Sequence, residues 1–324
     1  MQTILNINLS TNEIYISRIE NNSRLLAEND DLIFHSPLLC GYGIIGVNRV
    51  EVLTEGIVSK AGGYFSHYMK CNGYDYISIK GKAKEPVYIN IDKEKVEVCD
   101  AKNIYNLNPK ETEKIIRKIV GYDIETAQIG VAGISEVDFA RIMFGREKSC
   151  GKNGLGKLMG KKKIKCIALK KHTKLSQGNS EKINEINKYI CERMNANSID
   201  EYFEKNNNCF GCNINCKSTD VKKLQKMNLS KDDCIQIHNI CNKYGMDSLI
   251  FSSFIEKDEY EELAKDIVKE GNKDKYLVEI KKKKEKKEDI FDELGFCKFI
   301  TNKNVILEKE LEYLVKHIND KSRG

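Results

Sequence analysis

The chain has 324 residues and a net charge of +6, with 31% charged and 40% hydrophobic residues. That length can bury a real core and fits about two domains, and no stretch approaches the roughly 20 apolar residues that span a bilayer, which argues against a membrane protein. The basic excess falls in short runs, residues 161–163, 170–171 and 281–287, without interleaved aromatic residues; this reads as solvated faces and argues against a nucleic-acid groove.

The first residues, Met1-Gln2-Thr3-Ile4-Leu5, lack the basic start and long apolar core of a secretory leader. With 12 scattered cysteines, the expectation is a reducing cytoplasm and metal binding rather than a disulfide framework. Apolar and polar residues alternate over residues 4–9 and 14–19, with Ser10, Thr11 and Asn12 between them, predicting a hairpin. Further strands are predicted over 74–79, 87–91 and 96–98, broken by Gly81, Pro86 and residues 92–95, and together they predict a meander. Pro109 opens a predicted helix with Ile115, Ile116, Ile119 and Val120 on one face and Gly121 at its end. Apolar runs at 127–132 and 164–169 predict two more strands.

Beyond residue 171 helical spacing takes over, at Ile183/Ile186/Ile190, Cys234/Ile237/His238/Cys241 and Leu263/Ile267. The polar stretch 171–180 is the natural seam, and a second polar stretch, 271–288, reads as a surface loop or a charged helix. The expected class is α+β: a β-sheet-rich domain over 1–171, then a reduced α-helical domain over 180–324.

Two glycine-rich segments lie in the β-rich part, Ala61-Gly62-Gly63-Tyr64-Phe65 and Ser149-Cys150-Gly151-Lys152-Asn153-Gly154-Leu155-Gly156. Glycines there either make tight turns or let backbone amides approach an anionic ligand. The second segment lacks the ending of a phosphate loop and the strand-to-helix context of a dinucleotide fingerprint. The cations Arg146, Lys148, Lys152 and Lys157 around it favour a phosphate-bearing ligand.

Cys209, Cys212 and Cys216 follow one another as C-x2-C-x3-C, with Gly211 between the first two turns. Three thiolates this close can each reach a different iron of a cubane cluster, and a fourth ligand must then come from elsewhere. A structural zinc site and packed, inert thiols are the competing readings; no second C-x2-C or His pair follows at zinc spacing. Cys234 and Cys241 are closer in sequence and stay open as alternatives for that fourth ligand, but they share one predicted helical face, where free cysteine usually packs. His35, His67, His172, His238 and His317 are dispersed without ligand spacing. The positive balance suits an anionic cofactor or an acidic electron-transfer partner.

Taken with residues 6–14, Asn72-Gly73-Tyr74-Asp75, Gly81-Lys82-Ala83, Glu85-Pro86-Val87-Tyr88-Ile89 and the glycine-lysine run 154–165, these segments resemble the aldehyde ferredoxin oxidoreductase family. The resemblance implies a 4Fe-4S cluster and a tungsten- or molybdenum-bis-pterin. It implies Cys297 as the fourth cluster ligand beside Cys209, Cys212 and Cys216, at the end of a D-x-x-G-L-C motif that maps onto residues 292–297 with Phe296 in the leucine place. The family's D-x-x-G-L-D motif maps onto residues 242–247, with Asn242 for the first aspartate and Met246 for the leucine. The implied pterin side comprises Gly62, Gly63, Lys148, Gly151, Gly154, Gly156, Gly245, Asp247, Asp292 and Gly295. Lys60 stands where the family has asparagine, Val47 where it has arginine, and Lys148-Ser149 where it has Arg-Ala. The stretch between the two motifs, residues 248–291, is far shorter than in the family, and the family's catalytic glutamate and histidine have no counterpart, so no catalytic residue is assigned. The implied activity is oxidation of an aldehyde to a carboxylic acid with electrons passed to ferredoxin or another redox protein. The alternative is a non-catalytic relative acting as an electron-transfer or assembly subunit, and both a homodimer and a partner subunit stay open.

Overall fold

The computed structural model describes residues 1–21, 23–145, 148–151, 154–172, 180–193, 208–212, 219–271, 273–278 and 296–297. Cys216, Asp292, Gly295, Arg146, Lys152 and the lysine run 281–287 lie outside the described residues.

Two six-stranded sheets form the first half. The first contains β1 (Gln2–Asn8), β2 (Glu13–Ile19), β3 (Leu32–His35), β4 (Val50–Thr54), β5 (Ile57–Ala61) and β6 (Tyr76–Lys80), in the order β2-β1-β6-β3-β4-β5. The expected hairpin is there: β1 and β2 pair antiparallel from Asn8 opposite Glu13, and the Asn8 side chain accepts the amides of Ser10 and Thr11 in the turn. β1 then lies parallel to β6, a return made through the intervening strands and α1 (Phe65–Cys71).

The second sheet contains β7 (Val87–Asp92), β8 (Lys95–Asp100), β9 (Ile124–Ile129), β10 (Ile142–Phe144), β11 (Lys148–Cys150) and β12 (Ile164–Lys170), in the order β11-β10-β9-β12-β7-β8. The meander expected over 74–98 is therefore corrected: β6 belongs to the first sheet, and only β7 and β8 pair as a hairpin. Gly81 at φ +69, whose carbonyl accepts the Lys162 ammonium at 3.0 Å, turns the chain out of one sheet before Pro86 enters the next. The strand expected over 127–132 is shifted as well; β9 ends at Ile129, and α3 (Val131–Ile134) begins after Gly130.

α2 (Pro109–Val120) has proline in its first turn and a reciprocal cap in which Asn108 accepts from the Glu111 amide and the Glu111 carboxylate accepts from Asn108. Ile116 is fully buried against the second sheet with Ile115 and Val120 beside it, but Ile119 is 59% exposed, outside the stripe. The main core lies between the sheets, where Leu5, Phe34, Val52 and Ile77 meet Ile89, Ala127, Ile142, Phe144, Ile167 and Leu169. Each such aliphatic or aromatic side chain contributes about 1.5–3 kcal/mol by leaving water.

The helical half comprises α4 (Leu155–Lys161), still threaded into the second sheet, then α5 (Ser180–Arg193), α6 (Thr219–Gln225), α7 (Lys231–Tyr244), α8 (Ser248–Ser252) and α9 (Tyr260–Glu270). α7 ends as its sequence predicts, on Gly245 at φ +77 with its amide donating to Cys241. The apolar faces of α6–α9 pack on Ala132, Val137, Phe139 and Ala140, so the helices complete their core with residues from the β-rich half. Among the described residues no helix is long and apolar enough to cross a membrane.

Lys165 on β12 is fully buried and its ammonium donates to the carbonyls of Leu107 (2.6 Å) and Ile129 (2.8 Å), tying the approach to α2 onto the end of β9. Burial pulls this lysine down to about 7, against the raising influence of Cys166 and Glu111. With the folded value below that of the unfolded chain, unfolding takes up a proton between about pH 7 and 10, so stability rises with pH through that window. Chemical denaturation of Lys165→Met across it should show a slope lower than wild type by up to about 1.4 kcal/mol per pH unit; parallel curves would contradict this.

Candidate metal centre

The loop between β3 and β4, residues 36–49, gathers the cysteines. His35 and Glu51, register partners at its base, are joined by a 2.9 Å bond from the ring Nδ1, and Lys60 on β5 reaches the same carboxylate at 2.5 Å. Burial would push Glu51 up, but His35 and Lys60 outweigh it and hold the group at about 2. Burial also lowers His35, which stacks on Tyr76 at 4.2 Å. Farther out, α5 closes the loop: Asn187 accepts the Ile45 amide at 2.8 Å and donates to the Gly43 carbonyl at 2.9 Å.

Onto this loop comes the first cysteine pair. Cys212 donates its amide to the Cys209 carbonyl (3.0 Å), and Gly211 between them takes φ +65. A Cβ there would meet Gly43 backbone at 3.2 Å, so glycine serves both the turn and the close approach. Asn48 donates to the Phe210 carbonyl at 2.8 Å while accepting the Gly41 amide. Gly62 and Gly63 complete the seat: the Gly63 amide donates to Cys209 Sγ (3.2 Å), Phe210 donates to the Gly63 carbonyl (3.2 Å), and a Cβ on Gly62 would fall 2.6 Å from Cys209 Sγ.

Cys297 arrives from the far end of the sequence onto the same loop. Its amide donates to the Gly46 carbonyl at 2.6 Å, and Arg49 places Nη1 3.7 Å from its sulfur while Nη2 donates to the Lys60 carbonyl at 2.9 Å. Phe296 is buried with Leu39, Ile44, Ile45, Val47, Ile186 and Ile190, and Cys212 and Cys297 flank this cluster. The structure thus brings Cys209, Cys212 and Cys297 to one loop. Among the described residues no three His, Cys, Asp or Glu side chains stand as a site for a metal ion. Cys234 and Cys241 are buried in the helical core instead, and His238 accepts from or donates to Asn242 on its own helix.

The implied pterin residues fall into two groups. Lys148 lies against Gly63, its Cγ 3.5 Å from where a Cβ would stand, which puts the stem of this side chain beside the cysteine seat. Of the other described ones, Gly151, Gly156, Gly245 and Asp247 surround Arg141. Gly151 and Gly156 pack against the Arg141 and Ala140 backbone, where Cβ atoms would come to 2.9 and 2.6 Å. Gly154 caps α4, so this segment does run from strand β11 into a helix, correcting the expectation that it lacks that context. The Gly245 carbonyl accepts the Arg141 amide (2.8 Å), and Met246 bridges Ala140. Asp247 is buried, accepts Arg141 Nε (3.1 Å) and Nη2 (2.5 Å), and caps α8 through the amides of Leu249 and Ile250. Arg141 Nη1 also reaches Ser149 Oγ at 3.3 Å, so the two segments that sequence separates meet on one guanidinium. Lys157, one of the cations around the glycines, is paired with Asp138 at 2.6 Å.

Sequence reasoning passed over Arg49, Asn48, Asn187 and Arg141. The glycines at 41, 43 and 46 between two strands were the available signal for the loop.

Residues 3–171, more than half of the chain, match the family model described as aldehyde ferredoxin oxidoreductase, N-terminal domain. The chain belongs to that family. Among its relatives, a tungsten-containing aldehyde ferredoxin oxidoreductase of Pyrococcus furiosus is 39% identical over 151 residues, 44% of this chain and 25% of the relative. That of Pyrococcus horikoshii is 31% identical over 175 residues, 52% of this chain and 29% of the relative. The chain therefore spans little more than a quarter of the length of these relatives. An aliphatic sulfonate oxidoreductase, WOR-like subunit, of Pyrococcus furiosus is 34% identical over 115 residues, 32% of this chain and 18% of the relative. Among solved structures, the active site complex BamBC of benzoyl coenzyme A reductase with 1,5-dienoyl-CoA superposes with TM-score 0.68 and 21% identity, over 83% of this chain and 60% of that one. At that identity the likeness concerns the fold.

Removing one partner of a buried ion pair leaves a charge without compensation, at a cost of about 3–5 kcal/mol. Asp247→Ala should lose that much in urea denaturation, and the joint change Arg141→Met with Asp247→Leu should lose less. A loss under about 1 kcal/mol for Asp247→Ala would place the pair among weakly contributing surface bridges.

Proposed function

We propose that this chain is an iron–sulfur oxidoreductase of the aldehyde ferredoxin oxidoreductase type. In this reading Cys209, Cys212, Cys216 and Cys297 hold a 4Fe-4S cluster, and a tungsten- or molybdenum-bis-pterin lies on the side of Gly62, Gly63 and Lys148. The observation that carries it is the arrival of Cys297 on the loop that already seats Cys209 and Cys212.

The donor set fits a cluster. Thiolates spread over several irons do not need the close convergence that a single ion demands. The Gly63 amide at Cys209 and the Arg49 guanidinium at Cys297 would orient each sulfur toward a bound cluster. Apolar neighbours from Leu39 to Val47, α5 and Phe296 keep water away from one side. Lys148 beside Gly63 offers a cation next to glycine backbone, the chemistry that a phosphate-bearing pterin requires, though without the fork of an arginine. Bound there, the pterin-held metal would supply a two-electron change and the cluster single-electron transfer.

The relatives named as tungsten-containing support tungsten over molybdenum, and their names support an aldehyde substrate and ferredoxin as partner. The cytoplasm suits a chain with many free thiols. A second reading, an electron-transferring subunit beside another chain, draws on the relative described as a subunit and on a structural neighbour that is a complex.

Elemental analysis of the anaerobically purified full chain separates these readings. Iron and sulfide at about four each per chain, with tungsten, are expected for the oxidoreductase; iron and sulfide without tungsten or molybdenum select the subunit; zinc alone contradicts both. Cys297→Ser should lose most of the iron, while Cys234→Ser and Cys241→Ser keep it.

A further inference from the structure

One histidine that spacing leaves without a role lies against the cysteine seat. His67 on α1 is 6% exposed, and its ring is parallel to that of Phe210 with centroids 3.5 Å apart and planes 8° from one another. Phe210 is the residue directly after Cys209 and two before Cys212. Tyr64, at the start of the same helix, meets Phe210 edge-on at 5.9 Å. On its other side the imidazole has Cys71 one helical turn on, with Sγ 3.5 Å from Nε2 and 3.9 Å from Nδ1. Both faces of the contact are thus defined: α1 holds the ring through Cys71, and the ring holds the aromatic residue inside the C-x2-C segment.

We infer that His67 is a positioning residue for the Cys209–Cys212 segment, acting through its stack on Phe210 and not as a metal ligand. The stacked ring presents its face to Phe210 and its nitrogens to Cys71, so ligation would require it to leave both contacts. Burial, with Lys171 adding to it, lowers the group to about 4 and keeps the imidazole neutral near pH 7, as an apolar stacking partner requires. Hydrogen bonds from the Phe210 amide to the Gly63 carbonyl and from the Asn48 side chain to the Phe210 carbonyl fix the backbone of the segment; only the His67 and Tyr64 rings fix the Phe210 side chain among the aromatic contacts of the described residues. This inference deepens the cluster reading but has a test that does not depend on it.

In the metal-free, reduced full chain, alkylation of Cys209 and Cys212 by iodoacetamide, followed by mass spectrometry, reports how often the segment opens. An aromatic pair contributes about 0.5–1.5 kcal/mol beyond its burial, so His67→Ala should speed labelling of both cysteines about twofold to tenfold. His67→Phe, which keeps a stack and removes both nitrogens, should label within about twofold of wild type. The double variant His67→Ala with Phe210→Ala should be no faster than Phe210→Ala alone, because both remove the same contact. In the iron-reconstituted chain, loss of visible absorbance to a chelator should follow the same order. Unchanged labelling in His67→Ala overturns the inference, whatever the metal content. His67→Phe losing iron as fast as His67→Ala, with labelling restored, overturns it in favour of imidazole ligation. A wild-type chain that takes up no iron overturns the cluster reading, and the labelling order still decides the role of His67.

Discussion

The 36–49 loop grips two segments that lie far from it and from each other in the sequence, and the arrangement of the site depends on that grip. Its hold combines backbone, Gly43 against Gly211 and the Gly46 carbonyl on Cys297, with the side chains of Asn48 on Phe210 and Arg49 on Cys297, and the Gly63 amide beyond β5 adds a contact to Cys209. Backbone contacts of this kind need small residues on both sides, which is why Gly62 can admit Cys209 Sγ where any side chain would exclude it. The loop is in turn set by the sheet, since its two ends join neighbouring strands on which His35, the last residue of β3, and Glu51, the second of β4, are paired and buried. A site on a loop gains precision when its base is this rigid.

A second constraint joins the halves. The helices do not form an independent core; they close on Ala132 to Ala140, and Arg141 with Asp247 seals the joint inside it. A buried pair of this kind is a weak source of net stability but a strong selector of one arrangement, because every other arrangement leaves a charge unpaired. The same guanidinium touches Ser149, next to Lys148, so the registry of the helical half is communicated to the segment beside the cysteine seat. The glycines at 151, 156 and 245 are explained by how closely chain meets chain around Arg141.

Much of this was legible in the residues, and the failures are physical. The hairpin at 4–19, the helix opened by Pro109 and the termination of α7 at Gly245 follow from alternation, capping and the left-handed preference of glycine. Periodicity says nothing about which sheet a strand joins, so β6 was grouped with β7 and β8 although a glycine turn sends it elsewhere. The C-x2-C spacing singled out Cys209 and Cys212, which the structure seats beside the 36–49 loop. Spacing could not disclose Arg49 or His67, because their roles arise from strands and helices that become neighbours only on folding. Asp247 shows the opposite limit: a carboxylate picked out by a resembling motif is also half of a buried pair whose arginine, 106 positions away, the motif does not reveal.

In the proposed function Cys209, Cys212 and Cys297 share one metal centre on the 36–49 loop. Anomalous scattering at the iron edge, from crystals of the anaerobically reconstituted chain, tests it most directly. A single compact iron peak flanked by these three sulfurs and adjoining the Gly63 amide is the predicted result. Iron located away from Cys297, or a zinc atom bound by the 209–216 segment alone, would contradict it.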